Sequence, residues 1–150
     1  MVRDRQGADL WWRSGGRDCV CTQLDFHPVD ESDATVDNIC RDTTVDGELK
    51  VATSTIIGVD GASPGIFDET FCPACPAVSY TIAYLDESSL VEFDCSANAL
   101  GIINYCFHVM SRTPTMDDAT LAGLQELMVN YGLNPHGLEW KVTNQTGCGW

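Results

Sequence analysis

The fold is decided by the stretch Tyr105-Cys106-Phe107-His108-Val109-Met110-Ser111-Arg112-Thr113-Pro114, an amphipathic segment at 117–131 and a final run at 138–148. The first of these pieces predicts a strand that ends at a Ser-Arg-Thr-Pro turn. A helix and a short returning strand then follow, with Cys148 near the end. One helix after a run of strands is the layout of a closed β-barrel with a helix packed outside.

Upstream of this stretch, apolar and polar residues alternate as in β-strands from Cys19 onward. Val20, Thr22, Leu24 and Phe26 share one face of the first strand, as the period of two requires. Turn residues separate six further strand candidates, at 35–41, 49–59, 66–71, 77–85, 90–95 and 103–111. The sequence therefore predicts a mainly β protein, an antiparallel up-and-down barrel.

The helix carries its own start and stop signals. Thr115, with Asp118 three residues later, predicts a capping box at the start. Leu121, Leu124, Met128 and Tyr131 recur at helical spacing, and Gly132 is the expected stop. We expect this apolar stripe to pack on the outside of the barrel.

Composition limits the classes of partner. The chain has 150 residues, enough for one domain, and 44% hydrophobic residues, which is typical of a globular protein. Its formal net charge of −14 disfavours nucleic acid and anionic membrane surfaces. No apolar run approaches the roughly 20 residues of a membrane helix, so no transmembrane segment is predicted.

Eight cysteines at scattered positions favour disulfides and a secreted or otherwise oxidising location. Residues 1–18 show no apolar core of a signal peptide. We interpret 1–18 as an atypical N-terminal segment, either truncated or misjoined or the start of a mature or engineered chain. Residues 19–150 form the predicted barrel domain with its C-terminal helix and strand.

Three blocks resemble the lipocalins, in particular the branch of apolipoprotein D and the bacterial lipocalins. They are Cys21-Thr22-Gln23-Leu24-Asp25-Phe26, then Val91-Glu92-Phe93-Asp94-Cys95, and finally Ser111-Arg112-Thr113-Pro114 with the helix and the 143–148 ending. The chain departs from the family in lacking the Gly-x-Trp motif and in having seven predicted strands instead of eight. The resemblance thus implies a calyx without its usual first strand.

The resemblance also implies structural roles for particular residues. Cys21 would pair with Cys148. Cys95 would pair with an N-terminal cysteine, for which Cys19 is the nearest substitute. Arg112 would pack over a first-strand tryptophan, either Trp11 or Trp12, in a structural role.

Cys72-Pro73-Ala74-Cys75 admits two other hypotheses. A redox dithiol should precede a helix, whereas Pro76 and a strand follow here. A zinc site needs a second close pair of ligands, and His27, His108 and His136 are isolated. Disulfides remain the default, and we predict neither a metal site nor a cofactor.

The resemblance implies reversible binding and transport of a small hydrophobic ligand, such as a fatty acid, sterol, retinoid or carotenoid, by a monomer or weak homo-oligomer. A pocket for such a ligand needs inward apolar and aromatic side chains with a few polar groups. The predicted ligand-binding residues, placed inward on alternating strands, are Phe26, Tyr80, Tyr84, Phe93, Phe107 and His108.

Two alternatives stay open. The first is an enzyme on a lipocalin scaffold, similar to a xanthophyll de-epoxidase, with Asp25, Glu92 and Asp94 as its acids. We predict no catalytic residues, because most carboxylates are expected in turns or on outward positions as solvated charge. The second alternative is a secreted, disulfide-braced interaction or inhibitor module that uses the loops around Ser63 and Pro73.

Overall fold

The fold is described from a computed structural model, which covers residues 19–59, 61, 63–97, 103–135, 137 and 139–149. It contains seven strands and one helix. In chain order these are β1 (Cys19–Pro28), β2 (Ala34–Asp42), β3 (Leu49–Gly58), β4 (Ile66–Thr70), β5 (Val78–Leu85), β6 (Ser89–Ala97), β7 (Ile103–Ser111) and α1 (Asp118–Asn130).

The seven strands form one antiparallel sheet in which each strand pairs with its neighbour in sequence. The sheet curls into a half-barrel, and α1 covers part of its convex face. The predicted up-and-down β architecture with one outer helix is therefore confirmed. Within the described residues β1 and β7 do not pair with each other, so the barrel is open between these two edges. Trp11 and Trp12 lie outside the described residues.

The convex face carries the core that holds the helix. Val91 and Val109, opposite each other on β6 and β7, pack against Leu124 and Met128 of α1, and all four are buried. The helix begins differently from the prediction. Asp117 is the N-cap, and its carboxylate accepts the Thr120 backbone N–H at 2.9 Å. Asp117 directly precedes the first helical residue, so its side chain can accept the N–H of Thr120, three residues further on. Its negative charge is also favourable at the N-terminus of a helix.

The helix ends where the sequence predicts. Gly132 has a φ of +72°, which glycine adopts without steric cost, and its N–H donates to the Val129 carbonyl at 2.9 Å. Within the described residues, no helix combines the length and apolarity needed to cross a bilayer.

The C-terminal segment bridges part of the open side. The ring of Trp140 packs on Phe107 of β7, while the backbone N–H of Cys21 on β1 donates to the Asn144 carbonyl at 2.9 Å. Cys21 is free to do so because it lies in a β-bulge with a φ of 52°, which turns its N–H away from β2. The predicted returning strand is reduced, among the described residues of this segment, to an isolated bridge at Val142.

Three disulfides brace the described chain. Cys21 joins Cys148, the pairing that the resemblance implied, and ties the C-terminal segment to β1. Cys19 joins Cys40, and Cys72 joins Cys75. The expectation that Cys19 pairs with Cys95 is wrong. Cys19 and Cys40 lie on neighbouring strands with Cα atoms 5.7 Å apart, whereas exposed Cys95 lies far along the sheet on β6.

Candidate functional site

A cleft of about 730 Å³ lies in the gap between the two edges of the sheet. Its walls are β1 at residues 22–26 and the end of β7 with the following turn, at 110–114. The β5–β6 turn and Gln145 complete it. Its volume lies within the range of small-molecule sites in proteins, roughly 300–1,000 Å³.

The turn at the end of the cleft is held by Asp86. Its carboxylate accepts the backbone N–H groups of Ser88 and Ser89 and the Tyr84 hydroxyl, the last at 2.7 Å. These hydrogen bonds, that of Tyr84 foremost, lower the pKa of Asp86 to about 2. The turn is therefore fixed by a carboxylate that stays charged at ordinary pH.

The concave face continues the cleft inward as an apolar surface. Val36, Ile56 and Tyr80 form its buried cluster, and Phe67 stacks on Tyr80 with ring centroids 5.7 Å apart. Leu24 packs on this cluster and also lines the cleft, so it connects the two.

A polar layer lies beside that apolar surface on β6 and β7. His108 Nδ1 and Glu92 Oε1 are 2.6 Å apart, with side chains 15% and 21% exposed. Two residues further along each strand, the Cys106 thiol donates to Asp94 Oδ2 at 2.7 Å. The carboxylates of Glu92 and Asp94 therefore face the interior, as exceptions to the expectation that most carboxylates lie in turns or on outward positions.

A third carboxylate reaches the same layer from β4. Glu69 Oε1 accepts the hydroxyl of Ser54 at 2.5 Å, and Asn38 Nδ2 lies 3.4 Å from that hydroxyl. Burial raises the pKa of Glu69, and the Ser54 hydrogen bond opposes this effect. Burial also raises the pKa of Asp94. The layer thus holds carboxyls that are costly to ionise without a counter-charge.

Tyr80 lies on β5, between the strands that carry these carboxyls. It is 7% exposed, and burial followed by the Glu92 and Glu69 charges raises the pKa of its hydroxyl. Among the described residues this hydroxyl makes no hydrogen bond, but it is not fully buried and remains accessible from the concave side. Within the same part of the chain, no group of three or more His, Cys, Asp or Glu side chains is arranged to hold a metal ion.

The structure separates the predicted ligand-binding residues into two sets. Phe26, Tyr80 and His108 lie on the concave face, with Phe26 half-exposed in the cleft wall. The inward placement of Tyr84, Phe93 and Phe107 is wrong. Phe93 and Phe107 are opposite each other on the face that carries Val91 and Val109, and Tyr84 packs on the same helix-facing core.

The error has a physical cause. Alternation shows which residues share a face but not which face is inside, and β6 and β7 are covered on both sides. The helix side of these strands takes the aromatic residues, and the concave side takes the polar ones. A bulge between Ile82 and Tyr84 also moves Tyr84 off the face that Tyr80 occupies.

Arg112 lines the cleft at its rim, where its Nε donates to the Glu87 carbonyl at 2.8 Å. The predicted tryptophan partners lie outside the described residues, so this pairing remains a prediction. Gln145, which no sequence signal singled out, also lines the cleft, and its amide nitrogen donates to the Thr22 carbonyl at 2.7 Å.

Sequence reasoning also missed Glu69 and Ser54. A usable signal was present, because Ser54 alternates with Ala52 and Ile56 on β3, and Glu69 alternates with Phe67 on β4. Polar residues in phase with an apolar face indicate a polar site within it.

Solved structures resemble this chain in fold. Lobster apocrustacyanin A1 superposes with a TM-score of 0.70 at 11% identity, over 95% of this chain and 73% of that one. H1 crustacyanin from the lobster Homarus americanus gives 0.69 at 13% identity, over 97% and 74%. A bovine odorant-binding protein mutant gives 0.54 at 12% identity, over 83% and 79%.

These proteins are lipocalins, so the chain has a lipocalin fold with seven described strands. The apolipoprotein D branch remains a prediction. No protein-family model matches the sequence. No curated protein matches it either.

Proposed function

We propose that this chain binds and carries a small hydrophobic molecule in the cleft between β1 and β7. The observation that carries the proposal is the cleft itself, about 730 Å³ in volume and continuous through Leu24 with the apolar concave cluster. Burial of apolar ligand surface there would supply about 25 cal/mol per Å² before the costs of association.

The structural neighbours support this proposal. The bovine protein is named for binding odorants, and the lobster proteins share more of the fold with this chain. Three disulfides in the described chain favour a secreted or other oxidising location. We propose a monomer or weak homo-oligomer as the carrier.

Binding rather than catalysis is the proposed role. The enzyme hypothesis would use Glu92 and Asp94, which lie on the concave face, together with Asp25 in the cleft wall. Catalysis would change the bound molecule. Mass spectrometry of a probe recovered after prolonged incubation therefore separates the two roles, and we expect the probe unchanged.

The test of binding is a fluorescence titration with N-phenyl-1-naphthylamine, a neutral apolar dye that brightens when it leaves water. We expect saturable one-site binding in the micromolar range. In the variant Leu90→Trp the larger side chain narrows the cleft, and we expect binding at least about tenfold weaker. Met110→Trp, on the opposite strand, provides a second variant with a narrowed cleft.

The matched control is Val51→Trp, which adds the same indole on the exposed convex side of β3, away from the cleft. It should bind like the unaltered protein. Absence of saturable binding by protein with its three disulfides intact would overturn the proposal. Binding of the dye by both Leu90→Trp and Met110→Trp as tight as that of the unaltered protein would do so as well.

A further inference from the structure

We propose that the preferred ligand is an organic cation, a protonated amine attached to an apolar body, whose ammonium group is received by the polar layer of Glu69, Glu92, Asp94 and Tyr80. This inference rests on the proposed binding function and assigns its ligand class.

The charge of the concave face is the first argument. Three carboxyls face the interior, from Glu69 on β4 and from Glu92 and Asp94 on β6. The basic group facing them within the described residues is His108, which is already paired with Glu92 at 2.6 Å. Lys50, at the far end of β3, is held by Asp42 at 2.7 Å. A ligand that carries a positive charge would supply the missing counter-charge.

The unpartnered hydroxyl of Tyr80 is the second, independent argument. The residue is nine-tenths buried, yet its hydroxyl has no hydrogen-bond partner among the described residues. The hydroxyl is not one of the fully buried atoms that lack a partner in the described residues, so a ligand atom can reach it and supply the hydrogen bond that no described residue makes. The hydroxyl oxygen can accept a hydrogen bond from an ammonium group held between Glu69 and Glu92. Both carboxylates lie close enough to Tyr80 that their charges raise the pKa of its hydroxyl.

The apolar cleft and the carboxylate of Glu92 are close enough for a single small molecule to contact both. Leu90 on β6 and Met110 on β7 line the cleft. Glu92 lies two residues from Leu90, and His108 lies two residues from Met110, on the same face of these strands. Two residues of a strand span about 7 Å. An apolar body in the cleft therefore places a terminal ammonium at Glu92, whose side chain is 21% exposed and open to contact.

The rim of the cleft carries a positive charge, opposite in sign to that of the interior carboxylates. Arg112 lies at the rim, beyond Met110, and an anionic ligand would turn its charge toward this residue. Arg112 is exposed to solvent and is already donating to the Glu87 carbonyl. Charge pairs in water contribute little, whereas partly buried carboxylates bind a cation more strongly, so the geometry favours the amine.

The test compares three ligands of equal chain length: n-octylamine, 1-octanol and octanoate, each titrated by calorimetry at neutral pH. We expect the amine to bind at least about tenfold more tightly than the alcohol, and octanoate to bind most weakly. The variants Glu69→Gln and Glu92→Gln should each lower the ratio of amine affinity to alcohol affinity toward one. Asp68→Asn removes the same charge on the convex side of β4 and should change neither.

The outcomes separate the inference from the function on which it rests. Equal affinity for the amine and the alcohol would overturn the inference and leave the carrier function intact. Binding of octanoate that is tighter than that of the amine and is lost in Arg112→Gln would have the same meaning. An amine preference that survives in both Glu69→Gln and Glu92→Gln would overturn the assigned site. Binding of none of the three would contradict the carrier function itself.

Discussion

The ring of Phe107 packs against the indole of Trp140 with centroids 4.4 Å apart, on the convex face of the sheet. Phe107 is 2% exposed, so Phe107→Ala should destabilise the protein by about 3–5 kcal/mol and leave ligand affinity nearly unchanged. Urea denaturation and dye titration measure the two effects.

Phe26 offers the matched comparison, because it is 50% exposed and lines the cleft. Phe26→Ala should cost little stability and weaken dye binding. Strong loss of binding in folded Phe107→Ala protein would contradict the assignment of this side chain to the helix-facing core.

The buried carboxyl of Glu69 should make stability depend on pH. Burial raises its pKa in the folded protein, so the folded state holds this proton more tightly than the unfolded chain. The corresponding stability is present below the unfolded pKa and is lost as pH rises through the folded one. Glu69→Gln keeps an acceptor for Ser54 and should raise the melting temperature by a few degrees near pH 8.

That gain should vanish near pH 3, where Glu69 is protonated in both states. Asp68→Asn serves as the control for the change in net charge, and thermal melts across this pH range provide the measurement. A Glu69→Gln variant less stable than the unaltered protein at pH 8 would contradict the burial of an ionised Glu69.

The disulfides should differ in their contribution according to the loop that each one closes. Cys21 and Cys148 are separated by 127 positions, and Cys72 and Cys75 by three. Chain-entropy arguments give the longer loop roughly 3 kcal/mol more stabilisation. The double variant Cys21→Ser, Cys148→Ser should therefore lower the denaturation midpoint far more than the double variant Cys72→Ser, Cys75→Ser. Equal effects would mean that the C-terminal segment is not held by its covalent link to β1.

Much of the fold is predictable from local pattern. The seven strands agree with the predicted ones to within a few residues, because period-two alternation and turn residues such as Asp46-Gly47 are local signals. Gly47 shows the constraint directly, since a Cβ atom there would lie 1.9 Å from the Asp42 carbonyl oxygen. The stop at Gly132 is a local signal of the same kind.

The site was less predictable because its arrangement is set by contacts distant in sequence. Whether Phe107 or His108 points into the half-barrel depends on where α1 packs, and both faces of β7 carry residues that a core accepts. The Cys19–Cys40 pairing likewise depends on the register of β1 against β2. Glu69 and Ser54 meet only once β3 and β4 are paired.

The methionines provide the most direct test of the central claim, that a small apolar ligand occupies the cleft between β1 and β7. Met110 lines the cleft, whereas Met128 is on α1 and is buried between this helix and the convex face of the sheet. With ¹³C-methyl methionine labelling, 1-octanol titrated into the oxidised protein should shift the Met110 methyl resonance saturably and leave that of Met128 in place. An unmoved Met110 resonance, or a shift confined to Met128, would contradict the account.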